Sequence, residues 1–189
     1  MSTLPVRLGL VVAAALLAGM LPACRTPDVV PSARVSASVP EVAAARWEAV
    51  ILLRHAEKQS EGRDPELTAA GVRRADRVAG MLRDAGVTAV HATPYARTRL
   101  TAAPIAARAG VQVATYDPRR LEAFAASLAD DPGRIVVVGH SNTTPAMVRA
   151  LGGDPGEPID DATEFDRLYV LTPGASGAVH TLVLRIPGD

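Results

Sequence analysis

The sequence predicts an α/β fold, a three-layer α/β/α sandwich with a mostly parallel central sheet. Two observations predict it: apolar runs of strand length alternate with segments of helical periodicity, and glycines stand where several helices should end. The last two apolar runs have no helix between them, which predicts that they pair with each other.

Each element has its own signal. Residues 50–53 form a short apolar run, typical of a buried strand. In the first helix, Thr68 can cap the start, apolar residues recur at helical spacing, and Gly86 stands at the end. In the second helix, Pro104 is expected to cause a kink or mark a late start. The same criteria predict helices over 68–85, 97–109, 119–129 and 144–151, and strands over 50–53, 87–92, 111–114, 135–138, 168–171 and 179–186.

The N-terminal segment predicts export. An apolar stretch over residues 8–21 follows Arg7 and is shorter than the ~20 residues that a membrane-spanning helix needs, so residues 1–23 are interpreted as a signal peptide. Cys24 follows a sequence that resembles a bacterial lipoprotein processing site. Residues 24–45, rich in Pro, Ala, Ser and Val, are expected to be a tether, and residues 46–189 the folded domain.

These features predict a cell-envelope protein, a lipoprotein on the outer membrane facing the periplasm, with a soluble periplasmic protein as the alternative. Contact with the membrane is expected only through the lipid on Cys24. The 20 basic and 20 acidic residues leave no net charge, which argues against nucleic acid as a partner. The histidines have no metal-site spacing, so neither a metal ion nor a cofactor is expected.

Three polar motifs follow strand-like runs or begin a helix. The first is Arg54-His55, the second runs from Thr93 to Arg99, and the third contains His140. Because ligands of open α/β sheets bind beyond the carboxyl ends of the strands, these side chains are expected to converge on one anionic group, most simply a phosphate.

In order and spacing the motifs resemble those of the histidine phosphatase superfamily, whose fold is phosphoglycerate-mutase-like. Arg54-His55 matches the opening Arg-His motif of that family, Arg97 its second arginine and His140 its second histidine. Only about forty residues separate Arg97 from His140, too few for the helical cap of larger members. The chain therefore resembles the small branch that includes bacterial phosphohistidine phosphatases.

The resemblance and the chemistry of the side chains together predict roles. We expect His55 to be the nucleophile, since a neutral imidazole nitrogen can attack phosphorus. Arg54 and Arg97 are expected to grip the phosphate and His140 to stabilise the transition state. Thr93 and Asn142 are further candidates for phosphate binding.

Two glutamates are candidates for the proton donor. Glu122 lies in the segment from which many members of the family supply a glutamate, and Glu57 stands two residues after His55. The sequence does not choose between them, and a substrate with a good leaving group needs no strong acid.

The function expected is that of a metal-independent phosphatase. It would hydrolyse phosphomonoesters or phosphohistidine through a phosphohistidine enzyme intermediate, on a phosphorylated small molecule or a phosphoprotein. The alternative is a non-catalytic envelope module that retains the pocket to bind an anion or a partner.

Overall fold

The structure, a computed structural model, describes residues 47–187. The expected signal peptide, Cys24 and the whole of the expected tether lie outside the described residues, so these predictions remain predictions. Within residues 47–187, no helix has the length and apolar character needed to cross a membrane.

Six strands and four helices follow one another along the described chain. They are β1 (Ala49–Arg54), α1 (Ala69–Met81), β2 (Val87–Ala92), α2 (Ala96–Ala109), β3 (Val113–Thr115), α3 (Leu121–Leu128), β4 (Arg134–Gly139), α4 (Thr143–Ala150), β5 (Arg167–Pro173) and β6 (Val179–Arg185). The strands form one sheet in the order β3-β2-β4-β1-β5-β6. Strands β3, β2, β4 and β1 are parallel to one another, and β5 is antiparallel to both β1 and β6.

Alternate residues of the central strand β1 point into two separate cores. Ile51 and Leu53 pack with residues of α1 and α2 on one face of the sheet. Val50 and Leu52 pack with residues of α3 and α4 on the other face. Because both faces are buried, β1 is a continuous apolar run. The predicted three-layer α/β/α architecture with a mostly parallel sheet is confirmed, as is the pairing of the last two strands.

Helix boundaries differ from the predicted ones at a few positions. Helix α1 begins after Thr68, whose hydroxyl accepts a hydrogen bond from Gly71 N, so the predicted cap is confirmed. It ends at Met81 rather than at residue 85, and turns connect it to β2. Helix α2 begins at Ala96 and runs through Pro104, so the late start considered for this helix does not occur.

Helix α1 packs its first turn against the segment that follows β1. The backbone N–H of Thr68 donates to the carbonyl oxygen of Glu57 at 2.9 Å. A Cβ added to Gly71 would overlap that same carbonyl oxygen. Glycine at position 71 therefore brings α1 close to the chain just beyond His55.

The Gly71→Ala variant is expected to lose about 1–3 kcal/mol of unfolding free energy, because the extra methyl group must displace backbone rather than a side chain. Gly80→Ala in the same helix is the matched control. An added Cβ at Gly80 meets no neighbouring atom, and alanine should stabilise the helix by up to about 1 kcal/mol. Urea denaturation of both variants measures the difference. Equal stability of the two would contradict the close packing at position 71.

Candidate active site

Two neighbouring strand ends bring the two predicted catalytic histidines together. In the β1–β4 register Arg54 pairs with Gly139, and His55 N donates to the carbonyl oxygen of Gly139 at 2.9 Å. His55 and His140 each follow one of these paired positions, and their ring centroids are 5.4 Å apart. The parallel pairing of β1 with β4 thus places two imidazoles side by side at the carboxyl edge of the sheet.

A cavity of about 610 Å³ opens above these histidines. Its walls include His55, Lys58, Arg97, His140, Asn142 and Asp161. Of the residues predicted from sequence, His55, Arg97, His140 and Asn142 are therefore brought together here. Arg54, Thr93, Glu57 and Glu122 do not line this cavity.

His55 is held as a neutral imidazole with one nitrogen free to react. Its Nδ1–H donates to the carbonyl oxygen of Ala56 at 2.8 Å, which leaves the lone pair on Nε2. Burial lowers the pKa of His55 to about 3, and the positive charges of Arg54 and Arg97 act in the same direction. His55 is therefore unprotonated across the neutral pH range, as a nucleophile must be.

The lowered pKa of His55 also has a consequence for stability. Its pKa is near 6.5 in the unfolded chain and about 3 in the folded one. The unfolded chain therefore binds a proton that the folded chain does not, and the stability present above pH 6.5 is lost as the pH falls toward 3. Between pH 6.5 and pH 5 the loss of unfolding free energy amounts to about 2 kcal/mol.

The His55→Asn variant should depend less on pH, because asparagine does not titrate in this range. We expect the unfolding free energy of the wild type to fall between pH 7 and pH 5 by about 2 kcal/mol more than that of the variant. Urea titrations at the two pH values give the comparison. An unchanged pH dependence would mean that folding does not lower the pKa of His55.

His140 is fixed by a chain of hydrogen bonds that selects one tautomer. The Nη2 of Arg97 lies 3.5 Å from Nδ1 of His140 and can only donate, so the ring proton is on Nε2. Nε2–H then donates to Thr93 Oγ1 at 2.9 Å, and the Thr93 hydroxyl donates to Thr98 Oγ1 at 2.8 Å. The chain ends where Thr98 donates to the carbonyl oxygen of Tyr95 at 2.8 Å.

This chain gives Thr93 a position different from the one expected. Thr93 is fully buried behind His140, away from the cavity, where it orients the imidazole. Burial, then the charges of Arg97 and Arg54, lower the pKa of His140 to about 4. The site therefore holds two neutral histidines close to two positively charged arginines.

Arg97 extends from the first turn of α2 over the ring of Tyr95, with its Cζ 4.6 Å from the ring centroid. Asp64 lies 3.7 Å from Nη1. The Nε of Arg97 is buried and has no hydrogen-bond partner among residues 47–187. A buried N–H donor beside two histidines suits an anionic oxygen.

The guanidinium of Arg54 is bound by the loop of residues 160–164, which precedes β5. It is 2% exposed, and Nη1 and Nη2 donate to the backbone carbonyl oxygens of Asp160, Asp161 and Glu164 and to the Asp161 carboxylate, at 2.7–3.1 Å. Its Cζ lies 4.1 Å from the centroid of the Phe165 ring. Only Nε–H, buried and without a partner among the described residues, is left for a phosphate. Arg54 therefore holds the loop as well as setting the charge of the site.

Asp161 is a site residue that sequence analysis missed. Its Oδ1 accepts hydrogen bonds from Ser141 Oγ at 2.6 Å and from Arg54 Nη2 at 2.7 Å. These bonds, that of Ser141 above all, lower the pKa of the Asp161 carboxyl, although the side chain is mostly exposed. Asp161 is therefore an ionised carboxylate at neutral pH and carries no proton to donate.

Neither glutamate considered as the proton donor reaches the cavity. The Glu57 carboxylate accepts a hydrogen bond from Arg74 Nε at 2.9 Å and another from Arg74 Nη2 at 2.6 Å. Glu122 is exposed in the first turn of α3, where a carboxylate stabilises a helix N-terminus. Within residues 47–187, no three His, Cys, Asp or Glu side chains are arranged to hold a metal ion.

Comparison with known proteins agrees with this geometry. The model of the histidine phosphatase superfamily (branch 1) matches residues 50–119. No curated protein matched the sequence. Among solved structures, a candidate phosphohistidine phosphatase SixA from Nakamurella multipartitia is 28% identical, with a TM-score of 0.56, over 74% of this chain and 96% of that chain.

Two further structures share the fold at lower identity. A candidate phosphohistidine phosphatase SixA from Agrobacterium tumefaciens is 24% identical, with a TM-score of 0.51, over 66% of this chain and 91% of its own. A candidate alpha-ribazole-5'-P phosphatase from Escherichia coli K-12 is 16% identical, with a TM-score of 0.60, over 72% and 96%.

Proposed function

Because the chain belongs to the histidine phosphatase superfamily and is a phosphatase, we propose that it hydrolyses phosphohistidine through a phosphorylated His55. One observation carries the choice of substrate. Asp161, the one carboxylate among the residues that line the described cavity, is held ionised by Ser141 and Arg54. The pocket therefore lacks a protonated carboxyl group to assist a poor leaving group.

In the first step of the proposed reaction, the lone pair on Nε2 of His55 attacks the phosphorus atom. The new Nε2–P bond forms as the bond from phosphorus to the leaving group breaks. Arg97 and His140 both line the cavity that receives the transferring phosphoryl group. The guanidinium of Arg97 offsets the negative charge of that group, and the neutral imidazole of His140 lies beside it. In the second step, water attacks the phosphorylated His55, releases inorganic phosphate and restores the neutral imidazole.

The leaving group decides which substrates fit such a pocket. A phosphohistidine whose other ring nitrogen is protonated leaves as a neutral imidazole, and that nitrogen can take its proton from water at neutral pH, so no acid of the enzyme is needed. An alkyl phosphate leaves as an alkoxide and needs a proton in the transition state. The proposal thus favours phosphohistidine, with aryl phosphates such as p-nitrophenyl phosphate as slower surrogates and alkyl phosphomonoesters as the poorest substrates.

The test compares phosphate release from phosphohistidine, p-nitrophenyl phosphate and phosphoserine by the domain from residue 45 onward, with a chelator present. We expect release in that order of kcat/KM and no effect of the chelator. Faster hydrolysis of phosphoserine than of phosphohistidine would overturn the proposed substrate class. Loss of activity in the chelator would overturn metal independence. Phosphate binding without turnover of any compound would favour the non-catalytic alternative.

We also propose that the protein acts in the cell envelope, attached through a lipid on Cys24. The support is the sequence pattern of residues 8–24. Fractionation of the native cells and labelling with a radioactive fatty acid test the location and the anchor. We expect label in the membrane fraction for the wild type and none for Cys24→Ser. Wild-type protein that carries no fatty-acid label and is found in the soluble periplasm would mean that the chain has a cleaved signal peptide and no lipid anchor.

A further inference from the structure

A second cavity, of about 350 Å³, adjoins the catalytic one. The two cavities share Ser141 and Asn142, which connect β4 to α4. A ligand whose phosphate lies against His55 can therefore continue past these two residues into the second cavity. We call this second cavity the α4 groove.

One wall of the α4 groove is a single face of α4. It is lined by Asn142, Pro145, Ala146 and Arg149, whose i, i+3, i+4, i+7 pattern places them on the same side of a helix. The rise of 1.5 Å per residue separates Asn142 from Arg149 by about 10 Å along the helix axis. The groove therefore leads from the catalytic pocket toward the far end of α4.

The opposite wall is formed by Gly156, Pro158 and Ile159, which precede the loop that holds Arg54. The groove therefore presents both polar and apolar surface, and Arg149 is the one charged residue among those that line it. The side chain of Arg149 makes no hydrogen bond or ion pair with the rest of residues 47–187 and is exposed. By contrast, Arg54 and Arg97 are paired with aspartates. Arg149 is thus a cation available to a ligand.

The size of the catalytic cavity indicates what kind of ligand uses the groove. Pockets of roughly 300–1,000 Å³ hold a whole small molecule, so a cavity of about 610 Å³ already accommodates a phosphorylated metabolite. A second cavity that shares Ser141 and Asn142 with the first suits a ligand that extends beyond the phosphorylated residue. A polypeptide does so, and its extended chain covers about 10 Å in three residues.

We propose that the α4 groove binds the segment flanking the phosphorylated residue of a protein substrate, and that Arg149 pairs with an acidic side chain of that segment. The inference rests on the proposed function, because it takes phosphohistidine in the catalytic pocket as its starting point. It assigns Arg149 to the choice of substrate and not to the chemical step.

The test uses synthetic phosphohistidine peptides that carry glutamate, alanine or lysine about three residues from the phosphorylated histidine, on either side. For the wild type we expect kcat/KM on the best glutamate peptide to exceed that on its alanine counterpart by about two- to fivefold, mainly through KM. Arg149→Ala should remove this preference. Arg149→Glu should reverse it in favour of the lysine peptide, a result that a purely structural role of Arg149 cannot produce.

Arg108→Ala is the matched control, because Arg108 is also an exposed arginine in the last turn of a helix but does not line either cavity. It should keep the wild-type preference. Turnover of free phosphohistidine separates the two possible failures. A wild type that hydrolyses it without preference among the peptides would overturn the role of the groove alone. A wild type that hydrolyses neither free phosphohistidine nor any of the peptides would overturn the proposed function and this inference with it.

Discussion

The His55→Ala variant is expected to lose phosphatase activity on phosphohistidine and on p-nitrophenyl phosphate by at least about 10³-fold in kcat/KM, the order of effect seen when a nucleophile is removed from an enzyme. Among the described residues that line the cavity, His55 supplies the only imidazole lone pair that is neutral and unbonded: its Nδ1–H is bound to Ala56, while both ring nitrogens of His140 are engaged. Phosphate release measures the loss.

A second measurement tests the covalent step itself. Rapid quenching of the wild type with excess substrate should trap a phosphorylated protein that is stable in base and labile in acid, as a phosphohistidine is, and His55→Ala should give none. His180→Ala is the control, since His180 lies exposed on β6 outside the cavity. Full activity of a correctly folded His55→Ala protein would refute the assignment of the nucleophile.

The second large effect is expected at Arg97. Arg97→Ala should lower kcat/KM by about 10²–10³-fold, the range found when one preorganised donor to a transition-state oxyanion is removed. The loss combines two contributions. The site loses a buried N–H donor, and His140 loses the contact at Nδ1 that fixes its tautomer.

Arg97→Lys separates charge from geometry. Lysine keeps the positive charge but has no planar fork, so we expect it to recover only a small part of the lost activity. Arg99→Ala, two residues further along α2 and exposed, should retain wild-type kcat/KM. Activity of Arg97→Lys close to that of the wild type would show that charge alone suffices at this position.

Local signals explain why so much of the site could be predicted from sequence. Arg54 and His55 directly follow a buried strand, and His140 follows the strand that pairs with it, so the sheet geometry alone brings the two histidines together. Thr68 and Gly110 mark a helix start and a helix end by the chemistry of single residues. The α/β fold follows from the same alternation of strands and helices.

Long-range contacts explain what the sequence did not reveal. Asp161 and Phe165 reach the site from an irregular segment without periodicity, more than 100 residues after Arg54. Glu57 stands beside the nucleophile in sequence, yet its carboxylate is bound by Arg74 of α1. The resemblance to the family predicts Thr93 at the phosphate, whereas its hydroxyl forms a hydrogen bond with Nε2 of His140. Sequence proximity does not specify which way a side chain points.

The loop that holds Arg54 has a practical consequence for anyone who wishes to attach a reporter to this protein. Residues 160–164 are largely exposed, and exposure is the usual criterion for choosing an insertion point. Here, however, three of their carbonyl groups bind the arginine next to the nucleophile, so an inserted tag would disconnect the active site. The turn between β5 and β6, around Gly177, is equally exposed and lies at the opposite end of the sheet. A fluorescent label or affinity tag belongs there.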